Sequence, residues 1–241
     1  MLLSAPSPFG NLEETGSKAP FHLGCCSLMA TATTAISAIP GVWRGQSHAT
    51  QSLVQASGHA ALDAALGQGG LPRGAITEVL TQYWGMGEFD LFLPLMRQLA
   101  QQPAASAADP DSQRVLALIA PPFTPNALAL AARGLPLSSL WWLRPDRSAL
   151  AWWSAEQLLR CGNCPLLLFW SEDGDMQKLK RLQLAAEHGQ NIALVFRPEK
   201  ASQQASPAAL RLRLEAGQIE VLKARGGLKQ GKRVPLGTAL M

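Results

Sequence analysis

Hydrophobic residues along this chain follow two alternating patterns. Short runs of consecutive apolar residues suit strands that are covered on both faces, and between them apolar residues recur at helical spacing. The predicted strands are residues 74–80, 114–120, 140–144, 165–170 and 191–197, and the predicted helices are residues 89–101, 126–133, 148–160 and 176–187. This order predicts βαβ units with right-handed crossovers around a largely parallel sheet.

The pattern changes near the end of the chain. Residues 210–215 and 219–223 alternate apolar with charged residues on either side of a turn at Gly217, which is typical of a half-exposed antiparallel hairpin. The predicted fold class is therefore α/β, a mostly parallel sheet flanked by helices with a C-terminal antiparallel hairpin. At the helix ends, Gly134 is placed to end residues 126–133 and Ser148 to cap residues 148–160.

The domain organisation follows from where these patterns begin and end. Residues 1–40 have no period and are rich in small and turn-forming residues, which predicts disorder or an N-terminal extension preceding a true start at Met29. Residues 41–73 form a lead-in segment, residues 74–225 the core with its hairpin, and residues 226–241 a basic flexible tail.

Composition supports one globular domain and excludes a membrane span. The chain has 241 residues and is 47% hydrophobic, yet no run of about 18 uncharged apolar residues occurs. The first residues lack the basic and apolar regions of a secretory signal, so we expect a cytoplasmic protein.

Four cysteines, Cys25, Cys26, Cys161 and Cys164, are too few for a disulfide framework in a chain of this length. The C-G-N-C at residues 161–164 is either half of a metal or redox site or a turn with two incidental small side chains. No second C-x-x-C or paired histidine motif supplies further ligands, which favours the turn, and no metal is expected.

The strand at residues 74–80 leads into a glycine-containing turn that is expected to be a degenerate phosphate-binding loop. A P-loop requires G-x-x-x-x-G-K-[ST], in which the lysine contacts phosphates and the hydroxyl holds Mg²⁺. Thr81 lies near the first glycine position, while Glu88 and Phe89 follow Gly87 where Lys and Ser/Thr should stand. Gly85 and Gly87 retain the ability to curve the backbone into an anion-binding nest, so weak nucleotide binding stays open, but no cofactor is predicted.

Residues around this loop carry a resemblance to a known family. Gly58, Leu62, Asp63, Leu66, Gly69-Gly70-Leu71-Pro72, Gly74 and Glu78 resemble the segment that precedes the Walker A loop in RecA-type recombinases. With Val42-Trp43-Arg44-Gly45 before it and the segment from Leu222 to Gly227 after it, the chain resembles the ImuA family, SulA/RecA-like proteins of bacterial translesion-synthesis cassettes. The resemblance covers about residues 40–235 and implies a RecA-like fold in which Glu78 is a scaffold residue.

The resemblance implies a non-enzymatic accessory factor in SOS-induced, error-prone translesion DNA synthesis. Its expected partners are an ImuB-like Y-family protein, a DnaE-type error-prone polymerase and RecA. SulA, a shorter relative that blocks the division protein FtsZ, shares the middle of the pattern, so a SulA-like division inhibitor is an alternative. A weakly ATP-binding RecA paralogue associated with single-stranded DNA is a third.

The second half of an ATP site also departs from the RecA pattern. The apolar residues 166–169 are followed by Trp170 where the metal-binding Asp would stand, and Asp173 lies too far along. Glu172, Asp173 and Asp175 are either ligands at the edge of the sheet or a solvated acidic loop. The sequence contains no catalytic triad and no H-E-x-x-H, so we expect no catalytic residues and no enzyme.

The remaining candidates are surfaces for partners or nucleic acid. Residues 211–241 carry a net charge of +5, while the preceding chain carries −1, which suits a phosphate backbone or an acidic protein surface, or is simply a solvated edge. Any DNA contact there is expected to be weak and electrostatic. Of seven tryptophans, those in the pairs 141–142 and 152–153 are expected to place one ring outward each. The contact candidates are Trp43, Arg44, Gly45, Arg225, Lys229, Lys232 and Arg233.

Overall fold

The computed structural model describes residues 54–102, 114–215, 217–224 and 231–235. The strands are β1 (Val54–Gln55), β2 (Leu71–Pro72), β3 (Ala75–Thr81), β4 (Leu116–Ile119), β5 (Leu140–Leu143), β6 (Leu166–Trp170), β7 (Ile192–Pro198), β8 (Leu210–Glu215), β9 (Gln218–Ala224) and β10 (Lys232–Pro235). The helices are α1 (Ala60–Ala65), α2 (Glu88–Ala100), α3 (Ala127–Ala132), α4 (Ser148–Arg160) and α5 (Met176–Gly189), with 3-10 turns at Leu137–Ser139 and Glu199–Gln203. None of the helices in these ranges is long and apolar enough to cross a membrane.

Eight strands form one mixed sheet in the order β10-β9-β8-β3-β7-β6-β4-β5. The six neighbours from β8 to β5 are parallel, whereas β9 is antiparallel to β8 and β10 is antiparallel to β9. This confirms the α/β class, the mostly parallel sheet and the C-terminal hairpin. β1 and β2 form a separate, two-stranded antiparallel sheet.

Two apolar layers cover the sheet, one on each face. Along β4, Leu116 and Leu118 join the core that includes α2, while Ala117 and Ile119 join the core that includes α4 and α5. Because alternate residues of a strand point to opposite faces, a strand covered on both sides must be apolar throughout. That requirement explains why β4 and β6 appear in the sequence as unbroken hydrophobic runs.

The predicted strands and helices lie within a few residues of the observed ones. Of the two predicted helix ends, the structure confirms one. Gly134 follows α3 with φ +80°, the left-handed conformation that favours glycine after a helix. Ser148, however, is the first residue of α4 rather than its cap, because Arg147 occupies the N-cap position. The Ser148 hydroxyl instead donates to the carboxylate of Asp173.

The prediction of a flexible tail over residues 226–241 is wrong for β10. Its residues Lys232 to Pro235 pair with β9, and Val234 is buried. Four residues with a single buried apolar side chain show no recognisable period, so the pattern could not reveal this strand. Lys232, Arg233 and Pro235 are exposed along the outer side of the sheet.

Candidate functional site

The turn between β3 and α2 is the geometrical counterpart of a P-loop, in which a strand, a glycine-containing turn and a helix follow one another. β3 ends at Thr81, and α2 begins at Glu88 with Gly87 as its N-cap residue. Gly85 and Gly87 have φ angles of +84° and +90°, a region that strains other residues. The two glycines therefore curve the backbone as the sequence predicted.

Glu88 supplies the turn with an anion of its own. Its side chain is buried at 4% exposure, and the Gly85 backbone N–H donates to Glu88 Oε1 at 2.7 Å. A carboxylate in the first turn is stabilised by the helix dipole, as a phosphate would be. A nucleotide phosphate brought to this turn would meet that negative charge instead of the lysine of a working P-loop.

Phe89 and Trp170, which stand at the two expected metal-binding positions, contact each other. Their rings are stacked, with centroids 6.3 Å apart and planes inclined by 9°. Trp170 is buried and stacks in addition on Phe196 with a centroid distance of 4.6 Å. The two departures from the ATPase pattern are distant in sequence but form a single aromatic cluster. In that pattern a hydroxyl and a carboxylate hold Mg²⁺ at these positions.

A cavity of about 260 Å³ lies beside this turn. Its lining comprises Gly85, Gly87, Glu88, Phe89, Asp90, Trp170 and residues 121–125, and so includes acidic and aromatic side chains but no lysine or arginine among the described residues. The Phe123 ring, itself 64% exposed, lies against Gly85, where an added Cβ would stand 3.2 Å from the ring. The cavity suits an apolar group and lacks the positive charge that a triphosphate requires.

A buried ion cluster occupies the middle of the sheet on the face of α4 and α5. Glu78 of β3 is fully buried, and its neighbours β7 and β8 contribute Arg197 and Arg211. Arg197 Nη1 donates to Glu78 Oε1 at 2.7 Å, and Arg211 Nε lies 2.8 Å from Glu78 Oε2. Because both arginines share one carboxylate, the cluster carries a net positive charge.

Backbone oxygens around the cluster accommodate that extra charge. Arg197 Nη2 donates to the carbonyl of Gly174 at 2.7 Å, and Arg211 Nη2 donates to the carbonyl of Ala201 at 2.7 Å. The two guanidinium groups therefore connect the sheet to the loop after β6 and to the 3-10 turn after β7. Glu78, expected from the resemblance to be a scaffold residue, is the centre of a network that holds these loops in place.

In the acidic loop after β6, Asp173 and Asp175 form hydrogen bonds within the protein. Asp173 accepts hydrogen bonds from Ser148, Ser171, Trp152 and Lys178, and Asp175 caps α5 by accepting from the Lys178 backbone N–H at 2.8 Å. Burial alone would raise the pKa of Asp173, but these four side-chain donors together hold that pKa well below its usual value. Among the described residues no group of three or more His, Cys, Asp or Glu is placed to hold a metal ion.

The C-G-N-C segment forms the turn between α4 and β6. Cys161 is exposed and Cys164 is buried, and Gly162 has φ +77°. Burial, with the neighbouring Cys161 as a smaller contribution, raises the pKa of the Cys164 thiol to about 12. Cys164 is thus an unreactive core residue, in agreement with the favoured turn interpretation.

Most of the predicted contact residues lie outside the described part of the chain. Trp43, Arg44, Gly45, Arg225 and Lys229 belong to this group and stay predictions. Lys232 and Arg233 are exposed on β10, and Arg233 Nη2 lies 3.9 Å from Glu220 Oε2, a distance that leaves its charge largely available.

The two tryptophan pairs behave differently. Trp152 is buried and Trp153 is 54% exposed, so one ring of this helical pair faces outward as predicted. Trp141 and Trp142 are 51% and 45% exposed, so the same prediction is wrong for the strand pair. β5 is the last strand of the sheet, and its position leaves both rings half uncovered, which no local pattern indicates.

Comparison with known proteins shows similarity to SulA proteins. No protein-family model matches it. It is similar to the cell division inhibitor SulA of Edwardsiella piscicida, with 30% identity over 110 residues, which are 46% of this chain and 60% of that protein. The chain thus spans less than two thirds of this relative's length. It is also similar to the crystal structure of SulA from Pseudomonas aeruginosa, with 26% identity, coverage of 51% of this chain and 97% of that chain, and a TM-score of 0.40.

Proposed function

We propose that this chain is a protein of the bacterial DNA-damage response that acts by binding other proteins on a RecA-like scaffold, without turning over ATP. The observation that carries this proposal is the contact between Phe89 and Trp170. A hydroxyl and a carboxylate are needed at these two positions to hold Mg²⁺ for phosphoryl transfer. Two stacked rings in their place, together with Glu88 in place of the lysine, leave a scaffold without the chemistry of an ATPase.

As the particular role, we propose an accessory factor in error-prone translesion DNA synthesis. The support is the resemblance to the ImuA family, which includes residues on both sides of the segment similar to SulA, namely Val42-Trp43-Arg44-Gly45 and Arg225-Gly226-Gly227. The proposed partners are an ImuB-like Y-family protein, a DnaE-type polymerase and RecA. Weak contact of the basic C-terminal residues with DNA is part of this proposal.

The second candidate is a SulA-like inhibitor of cell division that acts on FtsZ. Its support is the similarity to a SulA protein, with 30% identity over 110 residues. This role would likewise require protein binding and no nucleotide chemistry.

Two phenotypes separate these roles. Deletion of the gene is expected to abolish mutagenesis after ultraviolet damage while cells keep dividing normally. Overproduction in undamaged cells is expected to leave cell length unchanged. Filamentation on overproduction, with mutagenesis intact in the deletion strain, would instead establish the SulA-like role.

Matched variants connect the phenotype to the proposed contacts. We expect the Trp43→Ala/Arg44→Ala double variant to lose damage-induced mutagenesis at wild-type protein level. The Lys180→Ala variant, altered at an exposed side chain of α5 outside the proposed contacts, serves as the control. Full mutagenesis in the double variant would remove the lead-in segment from the list of contacts.

A further inference from the structure

We propose that β5 is a docking edge, to which a partner protein adds an extended, acidic segment as a further strand of the sheet. The inference rests on the proposed protein-binding role and names the place and the chemistry of one contact.

The backbone of β5 is open on one side. In the described part of the chain β5 pairs with β4 alone, and the carbonyl of Leu143 accepts from the Ala120 N–H on that side. Backbone groups alternate in direction along a strand, so the N–H and C=O groups of Leu143 and Trp141 point towards β4 and those of Leu140 and Trp142 point away from it. The Leu140 N–H already donates to the Leu137 carbonyl. The Trp142 N–H and the carbonyls of Leu140 and Trp142 are therefore the groups that a neighbouring strand would bond.

The side chains of β5 provide contact on both faces of such a strand. Trp141 is in register with Ala117 and Trp142 with Leu118, and these two β4 residues belong to the cores on opposite faces of the sheet. The two half-exposed indoles therefore lie on either side of the open edge. An added strand would place its alternate side chains against one ring and then the other, as strand-addition complexes do.

This edge lacks the features that normally prevent strand pairing. Proteins protect exposed edges with charged side chains, proline or a bulge. β5 has none of these within Leu140–Leu143, and it carries two large aromatic residues, the type that forms interface anchors.

Charge and area indicate what occupies the edge. Arg144 and Arg147 follow β5 and are both exposed, and among the described residues the carboxylate that opposes them is that of Asp146, 3.9 Å from Arg147. An acidic residue at the end of the incoming segment complements this surplus of positive charge. Two half-exposed indoles and a four-residue edge bury well under the roughly 800 Å² per subunit that a stable homodimer needs. An extended segment requires only this strip, so we infer a segment of another protein rather than a second copy.

The test uses a synthetic peptide and the full-length protein. The probe is a fluorescein-labelled peptide of about six residues, alternating valine and threonine, with glutamate at both ends. The first control has the same sequence with alternate backbone amides N-methylated, and the second has lysine in place of glutamate. Fluorescence anisotropy is expected to show saturable binding of the probe, with affinity at least about tenfold weaker for either control.

Variants separate the backbone contribution from the side-chain contribution. Trp142→Val removes the ring but keeps the outward N–H, and Trp142→Pro removes both, in a conformation that an edge strand accepts. We expect affinity to fall in the order wild type, Trp142→Val, Trp142→Pro, while Tyr83→Ala, altered at a 65% exposed ring elsewhere, binds as wild type does. Circular dichroism verifies that each variant is folded.

Three outcomes would overturn the inference: no saturable binding of the probe, equal binding of the N-methylated peptide, or a Trp142→Val variant that is folded and binds normally. A concentration-dependent dimer that Trp142→Val abolishes would identify a second copy as the occupant and would also contradict it. Because the mutagenesis phenotypes are measured in cells that carry no peptide, failure at β5 leaves the proposed damage-response role standing.

Discussion

Two buried glutamates, Glu78 on β3 and Glu88 just after it, experience opposite surroundings. Glu78 lies between two guanidinium groups within 2.8 Å, whereas the hydrogen bond that Glu88 receives comes from one backbone N–H. Among the described residues the second oxygen of each glutamate is buried without a hydrogen bond of normal geometry, but that of Glu78 lies 2.8 Å from the Arg211 guanidinium, whereas Glu88 forms no ion pair there. The comparison shows that the carboxylate in the middle of the sheet is paired with two cations, while the turn that has the shape of an anion site holds a carboxylate without a cation.

The largest loss of stability is expected when Glu78, the paired glutamate, is replaced. Glu78→Ala leaves two arginines buried without their carboxylate, and loss of one partner from a buried ion pair typically lowers the free energy of unfolding by about 3–5 kcal/mol. Urea denaturation of the variant measures this loss. Asp146→Ala removes an exposed partner and is expected to change stability by less than about 0.5 kcal/mol. Similar values for the two variants would refute the scaffold role of Glu78.

Replacement of Glu88 is expected to lower the free energy of unfolding by a smaller amount. Glu88→Ala removes a charged acceptor from the Gly85 N–H, which corresponds to about 1–3 kcal/mol of unfolding free energy. Glu88→Gln keeps an oxygen for that N–H and is expected to lie closer to wild type. Thermal melts of both variants in one buffer make the comparison. A Glu88→Ala variant as stable as wild type would mean that the carboxylate does not organise the turn.

A third carboxylate, that of Asp173, is expected to make the stability of the protein depend on pH. The donors around Asp173 lower its pKa in the folded protein, so the unfolded chain binds the proton more readily. Its stabilising contribution is present above the unfolded pKa of about 4 and is lost as the pH falls through the folded pKa. Asp173→Asn should therefore be less stable than wild type at neutral pH, with a difference that shrinks below about pH 4. Since the side chain is half exposed, we expect this effect to be smaller than that at Glu78. A stability difference between wild type and Asp173→Asn that widened towards low pH would contradict a lowered pKa of Asp173.

The smallest effect is expected from nucleotide. A dissociation constant of about 0.1 mM would stabilise the protein by about 2.3 kcal/mol at about 5 mM ATP, and would raise its melting temperature by several degrees. With Glu88 at the turn and Phe89 stacked on Trp170, we expect no such shift with ATP and Mg²⁺. Inorganic phosphate with Mg²⁺ is the control for ionic effects. A saturable rise of the melting temperature with ATP would show that the protein binds a nucleotide.

The sequence predicted the α/β sheet because β4, β6 and the first five residues of β7 are covered on both faces and are apolar at every position. It also identified Glu88, Phe89 and Trp170 one by one as departures from an ATPase. It could not show that Phe89 and Trp170 touch, since their contact depends on the order of strands in the sheet. For the same reason Arg197 and Arg211 escaped notice: a buried arginine in a strand looks like a solvent-exposed one until its partner Glu78 is placed beside it.

The opposite border of the sheet has a consequence for assembly size. Lys232, Arg233 and Pro235 line the outside of β10 with charge and with a residue that offers no N–H. If a partner segment adds a strand at β5, as proposed above, we expect no second segment to add at β10. Sheet addition to one copy of the protein would then be confined to one border.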